Sequence, residues 1–190
     1  MKFAYADPPY LCGAHHYKEH PEWHVYATMD GHAQLIARLI KEYPDGWALS
    51  MSSVDISAMA AILPADVRWG AWCKPFASFK PNVTRAYCWE PVAFMGGRPI
   101  PKTEPTVRDF VEAAETSPAI MESITLRKGL TGAKPPKFCE WILDLMGFDC
   151  DLDTIDDLFP GTGVFGRVRD DRIVRNEIAN GACKQWRLIP

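Results

Sequence analysis

The sequence contains no Cys-x-x-Cys pair. Its six cysteines, at positions 12, 73, 88, 139, 150 and 183, are scattered, so neither a zinc ribbon nor a thioredoxin-type redox motif is present, and reduced thiols are expected. No apolar run approaches the about 20 residues a membrane helix needs. No secretory leader is visible, because Met1-Lys2-Phe3-Ala4-Tyr5-Ala6-Asp7 reaches a charge and two prolines before a long apolar stretch can form. A soluble, cytoplasmic chain without membrane contact is the expectation. Basic charge is not in excess either: 21 Lys and Arg face 24 Asp and Glu, for a net charge of −3. That excludes a histone-like polycation and confines any nucleic-acid contact to a local patch. What is abundant is core material. With 190 residues, 47% of them hydrophobic and 12% aromatic, residues 1–190 are expected to form one domain.

Phe3-Ala4-Tyr5-Ala6 is an apolar run halted by Asp7-Pro8-Pro9-Tyr10, which predicts a buried strand ending in a loop. Leu35, Ile36, Leu39 and Ile40 recur at helical spacing before Tyr43-Pro44-Asp45-Gly46. A strand over 47–51, a helix over 54–63 and a strand over 67–73 follow. Strand, helix, strand, helix, strand predicts an α/β fold with a parallel sheet. Residues 86–95 read as a further strand, the first arm of a hairpin. Residues 98–128 carry Pro99, Pro101, Pro105 and Pro118 and are expected to form a surface excursion or recognition loop with at most a short helix near 107–114. Phe138, Trp141, Ile142, Leu145 and Met146 then predict an amphipathic helix that Gly147 ends. A strand over 155–159 runs into Pro160-Gly161-Thr162-Gly163, with a helix from Val164.

Two loops stand out chemically. The exocyclic amine of a nucleobase is a poor nucleophile because its lone pair is delocalised into the ring. A carboxylate such as Asp7 and a backbone carbonyl held by Pro8 and Pro9 can accept its two N–H hydrogens and redirect that lone pair, while Tyr10 stacks on the base. Elsewhere, Asp156-Asp157-Leu158-Phe159-Pro160-Gly161-Thr162-Gly163 is a strand entering a glycine turn, where backbone can approach a nucleotide-like ligand. Gly166 completes a dinucleotide-type glycine spacing. NAD is nevertheless disfavoured, since too few residues follow for the remaining βαβ unit and its acidic residue. A third boundary, Gly132-Ala133-Lys134-Pro135, precedes the helix over 136–146.

Asp7-Pro8-Pro9-Tyr10 after a strand, Lys134-Pro135 before a helix, and Asp157-Leu158-Phe159-Pro160-Gly161-Thr162-Gly163 after the next strand occur in one order. That order resembles the amino-methyltransferases that use S-adenosylmethionine (SAM). It is similar to the β-type DNA methyltransferases and the DPPW-type adenine methyltransferases of DNA and messenger RNA, and residues 132–163 resemble small methyltransferase-like proteins of actinobacteria and their phages. The resemblance covers residues 1–97 and 130–166. It implies a Rossmann-like methyltransferase fold, mostly parallel with helices on both faces, the catalytic half preceding the cofactor half. Asp7, Pro8, Pro9 and Tyr10 would hold the target amine and base. Asp157, Phe159, Pro160, Gly161, Thr162 and Gly163 would line the SAM pocket with Lys134 beside it. Asn176 and Glu177 are the candidates for holding the cofactor ribose, although one helix from 164 to 180 would carry both.

Between residues 67 and 108, Arg68, Lys74, Lys80, Arg85, Arg98, Lys102 and Arg108 outnumber Glu90 and Glu104, and aromatic residues interleave with them. Such a segment either holds phosphates and bases or is core with a solvated rim. Lys74, Lys80 and Arg85 are the nucleic-acid candidates, with His15 and His16 as a lid over the substrate. Metal binding by the histidines is not expected, since methyl transfer from a sulfonium needs none. The expected function is methyl transfer from SAM to the N6 amine of adenine in DNA, single-stranded or duplex. The alternatives are a cytosine N4 or RNA adenine target, a catalytically silent nucleic-acid-binding or cofactor-sensing protein and, third, a dinucleotide-dependent oxidoreductase. A homodimer or protein partner is expected to supply recognition surface that one short chain lacks.

Overall fold

A computed structural model describes residues 1–18, 21–74, 84–85, 87–113 and 134–186, with side chains through residue 180. Six strands form one sheet in the order β5-β3-β4-β2-β1-β6: β1 Lys2–Ala6, β2 Gly46–Ser50, β3 Arg68–Cys73, β4 Trp89–Gly96, β5 Phe110–Glu112 and β6 Thr154–Asp157. β1 pairs in parallel with both β2 and β6, and β3 with β5. Only β4 runs against its neighbours, between β2 and β3.

The alternation of side chains along each strand divides the core in two. On one face, Ala4 and Ala6 of β1 and Trp47 and Leu49 of β2 pack under Leu35, Ile36 and Leu39 of helix α2 (Met29–Glu42) and Met59 of α3 (Ile56–Ala60). The other face carries Phe3, Tyr5, Ala48, Val92 and Phe94. It is covered by Phe138, Ile142 and Leu143 of helix α4 (Pro136–Leu145) and by Phe165 and Val168 of α5 (Val164–Trp186). Short helix α1 (Trp23–Tyr26) leads into α2, whose first turn is capped when the Thr28 hydroxyl accepts the Gly31 N–H. α4 stops where Gly147 takes φ +59° and Phe148 N–H returns to Leu143 carbonyl at 2.9 Å, a left-handed cap that favours glycine.

Three expectations need correction. The strand over 67–73 does not extend a parallel series beside β2, because β4 is inserted between them in antiparallel register, Ser50 opposite Val92 and Cys73 opposite Trp89. The strand in 86–95 is accordingly the return arm from β3 and not the first arm of a hairpin. In place of a helix near 107–114 there is the edge strand β5, held by pairing with β3. Residues 114–133, most of the expected excursion, lie outside the described residues. Cys12, Cys73, Cys88, Cys139 and Cys150 have free thiols. Among the described residues no helix is long and apolar enough to cross a membrane.

Candidate active site

β1 ends at Ala6 because Pro8 and Pro9 have no N–H to continue a ladder. Both prolines are buried, and the loop is closed by the Gly13 N–H donating to the Tyr10 carbonyl at 2.8 Å. Reversal of β4 brings its first residues to this same carboxyl edge, and the chain approaching α4 arrives there too. The result is a compact ionic cluster. Lys134 Nζ lies 2.9 Å from Asp7 Oδ1, donates to the Tyr10 hydroxyl at 2.9 Å, and stands 3.5 Å from Glu90 Oε2. The Tyr10 hydroxyl is 2.7 Å from Glu90 Oε2 and 3.1 Å from Asp7 Oδ1. Lys74 pairs with Glu90 Oε1 and also lies over the Trp72 ring, 4.5 Å from its centroid.

The Lys134 side chain is 8% exposed and those of Asp7 and Glu90 19% each. Burial pushes the Asp7 carboxyl up, Lys134 opposes this and Glu90 adds to it, so the group stands above its ordinary value. Burial acts on Glu90 in the same sense, but Lys134 and Lys74 together hold it below its ordinary value. Desolvation works against the Lys134 charge, and Asp7 and Glu90 outweigh it to keep the ammonium firmly protonated. The Tyr10 and Lys134 contacts with Asp7 both fall on Oδ1, and the side chain keeps 19% of its surface exposed, so the carboxylate can still accept from a ligand.

The glycine turn lies alongside. Tyr5 is in register with Asp157, so the loops leaving β1 and β6 emerge from adjacent strands. Gly161 and Gly163 take φ +45° and +70°, a region where a side chain is strained. A Cβ at Gly161 would meet only the Phe159 carbonyl, at 3.8 Å, leaving room over the turn. Asp157 Oδ1 accepts the Phe159 N–H at 3.2 Å. Burial pushes the Asp157 carboxyl up to about 6, with nearby Asp7 adding to the effect. The Phe159 ring meets Tyr26 edge-on at 5.1 Å, and Thr162 carbonyl accepts from Arg167 at 2.9 Å. Between the two loops, Tyr5 stacks on Phe165 at 4.7 Å and bonds Ser50 Oγ at 3.0 Å.

The expected residues thus fall into three groups. Asp7 to Tyr10 and Asp157 to Gly163 are brought together at one edge. Lys134 was expected beside the glycine turn, but its bonds go to the tetrapeptide and Glu90. Lys74, expected to face phosphates, is paired with Glu90. Asn176 and Glu177 are on α5, more than three turns beyond Val164, and Asn176 Nδ2 donates to Asp151 at 3.2 Å, so the structure does not bring them to the turn. His15 and His16 are exposed in a 3-10 turn, Ala14–Tyr17, their rings 3.9 Å apart. Arg85 is exposed, and Lys80 lies outside the described residues. Of the aromatics in the basic segment, Trp72 is core while Trp69, Tyr87 and Trp89 are exposed. Sequence reasoning missed Glu90, although a carboxylate within the apolar strand Trp89-Glu90-Pro91-Val92-Ala93-Phe94 was a visible signal. It missed Tyr17 as well, whose hydroxyl is pushed up by burial and feels both Lys134 and Asp7.

No protein-family model matches the chain, and no curated protein matches it. Solved structures do. A crystal structure of the M1.HpyAVI-SAM complex superposes with a TM-score of 0.52 at 17% identity, over 90% of this chain and 78% of that one. M1.HpyAVI in a second crystal structure gives 0.51 at 18%, over 90% and 76%. The chain has a Rossmann-like methyltransferase fold. In this fold the described helices cover both faces of a sheet in which β4 alone is reversed, and the tetrapeptide and glycine turn share its carboxyl edge, the edge at which open α/β sheets bind ligands.

Proposed function

We propose that the protein transfers a methyl group from SAM to the N6 amine of adenine in DNA. The observation that carries this reading is the juxtaposition of an open carboxylate acceptor in Asp7-Pro8-Pro9-Tyr10 with the Asp157 to Gly163 turn on adjacent parallel strands. The similarity in fold to M1.HpyAVI, solved as a complex with SAM, supports the choice of cofactor. The turn fits such a ligand: two positive-φ glycines clear the space over the backbone, and the half-buried Asp157 carboxyl gains from a neighbouring cation. When bound, SAM supplies an electrophilic methyl on a sulfonium. The remaining work belongs to this chain.

Asp7 Oδ2 accepts one amine N–H and the Pro8 carbonyl the other, turning the nitrogen lone pair out of the ring plane. Tyr10 offers its ring face to the base. Lys134 fixes Asp7 through Oδ1 and helps keep it ionised. The methylated nitrogen is cationic and strongly acidic, so it releases its proton without a dedicated base. In duplex DNA the adenine must leave the stack to reach this edge.

Label transfer from tritiated SAM to adenine-containing and adenine-free oligonucleotides, single- and double-stranded, DNA and RNA, tests the reading. Label confined to adenine-containing DNA supports it. Label on adenine-free strands moves the target to cytosine, and label on RNA alone moves the substrate. A second reading, a nucleic-acid-binding protein without turnover, is favoured by the location of Asn176 and Glu177 away from the turn. It gains if both SAM and DNA bind and no label moves.

A further inference from the structure

We propose that Glu90 is a positioning residue for the amine-holding loop, pinning the Tyr10 hydroxyl and the Lys134 ammonium so that Asp7 Oδ2 stays open to the substrate. The inference rests on the reading of Asp7 above. Glu90 reaches the site only because β4 is reversed. Opposite Trp72 in the register, it stands on the face that α4 covers, where a valine would serve the sheet as well. A half-buried carboxylate is unfavourable there unless it is answered. Glu90 is answered three times: Oε1 by Lys74, Oε2 by the Tyr10 hydroxyl at 2.7 Å and by Lys134 at 3.5 Å.

Tyr10 has a single hydroxyl proton, which serves one acceptor at a time. Glu90 is nearer than Asp7, at 2.7 against 3.1 Å, and takes it, setting the angle of the stacking ring. Lys134 is drawn between the two carboxylates and meets Asp7 at Oδ1, 2.9 Å away. Without Glu90, the ammonium and the hydroxyl would both turn to Asp7 and compete with the incoming amine. Among the described residues, the charged and titratable groups that face Glu90 are Asp7 and Tyr10 from the β1 loop, Tyr17 from the 3-10 turn, Lys74 from the end of β3, and Lys134 ahead of α4.

The test uses the full chain. Glu90→Gln keeps the shape and an acceptor for Tyr10 but removes the charge, whereas Glu90→Ala removes both. In protein without cofactor or DNA, carbon-13 NMR titration of the Asp7 carboxyl should show its midpoint lowered by about half a pH unit or more in Glu90→Gln, because a neighbouring negative charge is gone. Glu90→Ala and Tyr10→Phe should each weaken affinity for an adenine-containing oligonucleotide about fivefold, and the double variant should be little worse than either, as expected for residues acting through one bond. In methyl-transfer assays Glu90→Ala should lower kcat about tenfold with SAM affinity unchanged. An Asp7 midpoint that does not move in Glu90→Gln overturns the proposal, as does full additivity of Glu90→Ala with Tyr10→Phe. A wild type that transfers no label would end the enzymatic reading, and the Asp7 titration would still decide the role of Glu90.

Discussion

Asp153, beside the amino ends of β1 and β6, and Asp7, at the carboxyl end of β1, are both drawn into ionic clusters, and β4 supplies a partner to each: Arg98 from just beyond its last residue, Glu90 from near its first. The environments are opposite. At Asp153 every oxygen is used. Oδ1 takes the Met1 ammonium at 2.7 Å and Arg98, and Oδ2 takes Arg98 Nε at 3.0 Å and the Asp149 N–H at 2.9 Å. Burial alone would raise this carboxyl, but Arg98, the chain terminus and the Asp149 N–H draw it down to about 2. At Asp7 a second carboxylate shares the cations, part of the side chain stays exposed, and burial holds the carboxyl above its ordinary value. A closed cluster ties the chain together, while an open one holds a polar group ready for a ligand.

The comparison can be broken most sharply at Asp7. Asp7→Ala is expected to lower methyl transfer at least about 100-fold, the scale of losing one preorganised contact, with calorimetric SAM affinity and the melting temperature little changed. A comparable collapse of thermal stability would place Asp7 with Asp153 as a structural group. Lys134→Met should reduce transfer about tenfold and move the acid limb of kcat/KM to higher pH, since Asp7 loses the cation that opposes its protonation while Glu90 remains. An acid limb moving to lower pH would contradict this ordering of charges.

Asp157 sharpens the comparison from the cofactor side. With its carboxyl at about 6, above the unfolded value, the folded protein favours the protonated form, and the group costs stability as pH rises through that midpoint. A bound cation reverses the preference. SAM affinity should therefore rise up to about tenfold per pH unit below 6 and level off above it, and Asp157→Asn should flatten the profile. A pH-independent wild-type affinity would remove Asp157 from the pocket. The smallest effect is expected at Asp153. Its stabilisation is present above the unfolded carboxylate value and lost as pH falls toward about 2, so Asp153→Asn should lower the melting temperature by roughly 5 °C at neutral pH and erase the difference from wild type in strong acid. Methyl transfer per folded molecule should not change.

Much of this arrangement could be read along the chain. Phe3 to Ala6 followed by two prolines fits a short buried strand with a stiff loop after it, and the spacing of Phe138, Trp141 and Ile142 fits a helix with one apolar face. The glycine turn after 154–157 was equally plain, because Gly161 and Gly163 sit where the backbone takes positive φ. Glu90, the pairing of Lys74 and the strand at 110–112 were not legible. A charge inside an apolar strand marks an exception, but its partners come from residues 10, 74 and 134, and no local pattern encodes them. Likewise, a three-residue strand such as β5 has too short a period to recognise and exists through its pairing with β3.

By itself the sequence determined most of the local structures and marked the two loops proposed to carry chemistry, because prolines, glycines and apolar spacing act over a few residues of backbone. Only the tertiary structure decided that β4 would run backwards between β2 and β3. That reversal delivers Glu90 to one edge of the sheet and Arg98 to the other, and so distributes the charges. Hydrogen-bond register and burial set which carboxylate is fully answered by cations and which stays partly exposed, and both depend on neighbours far away in the chain.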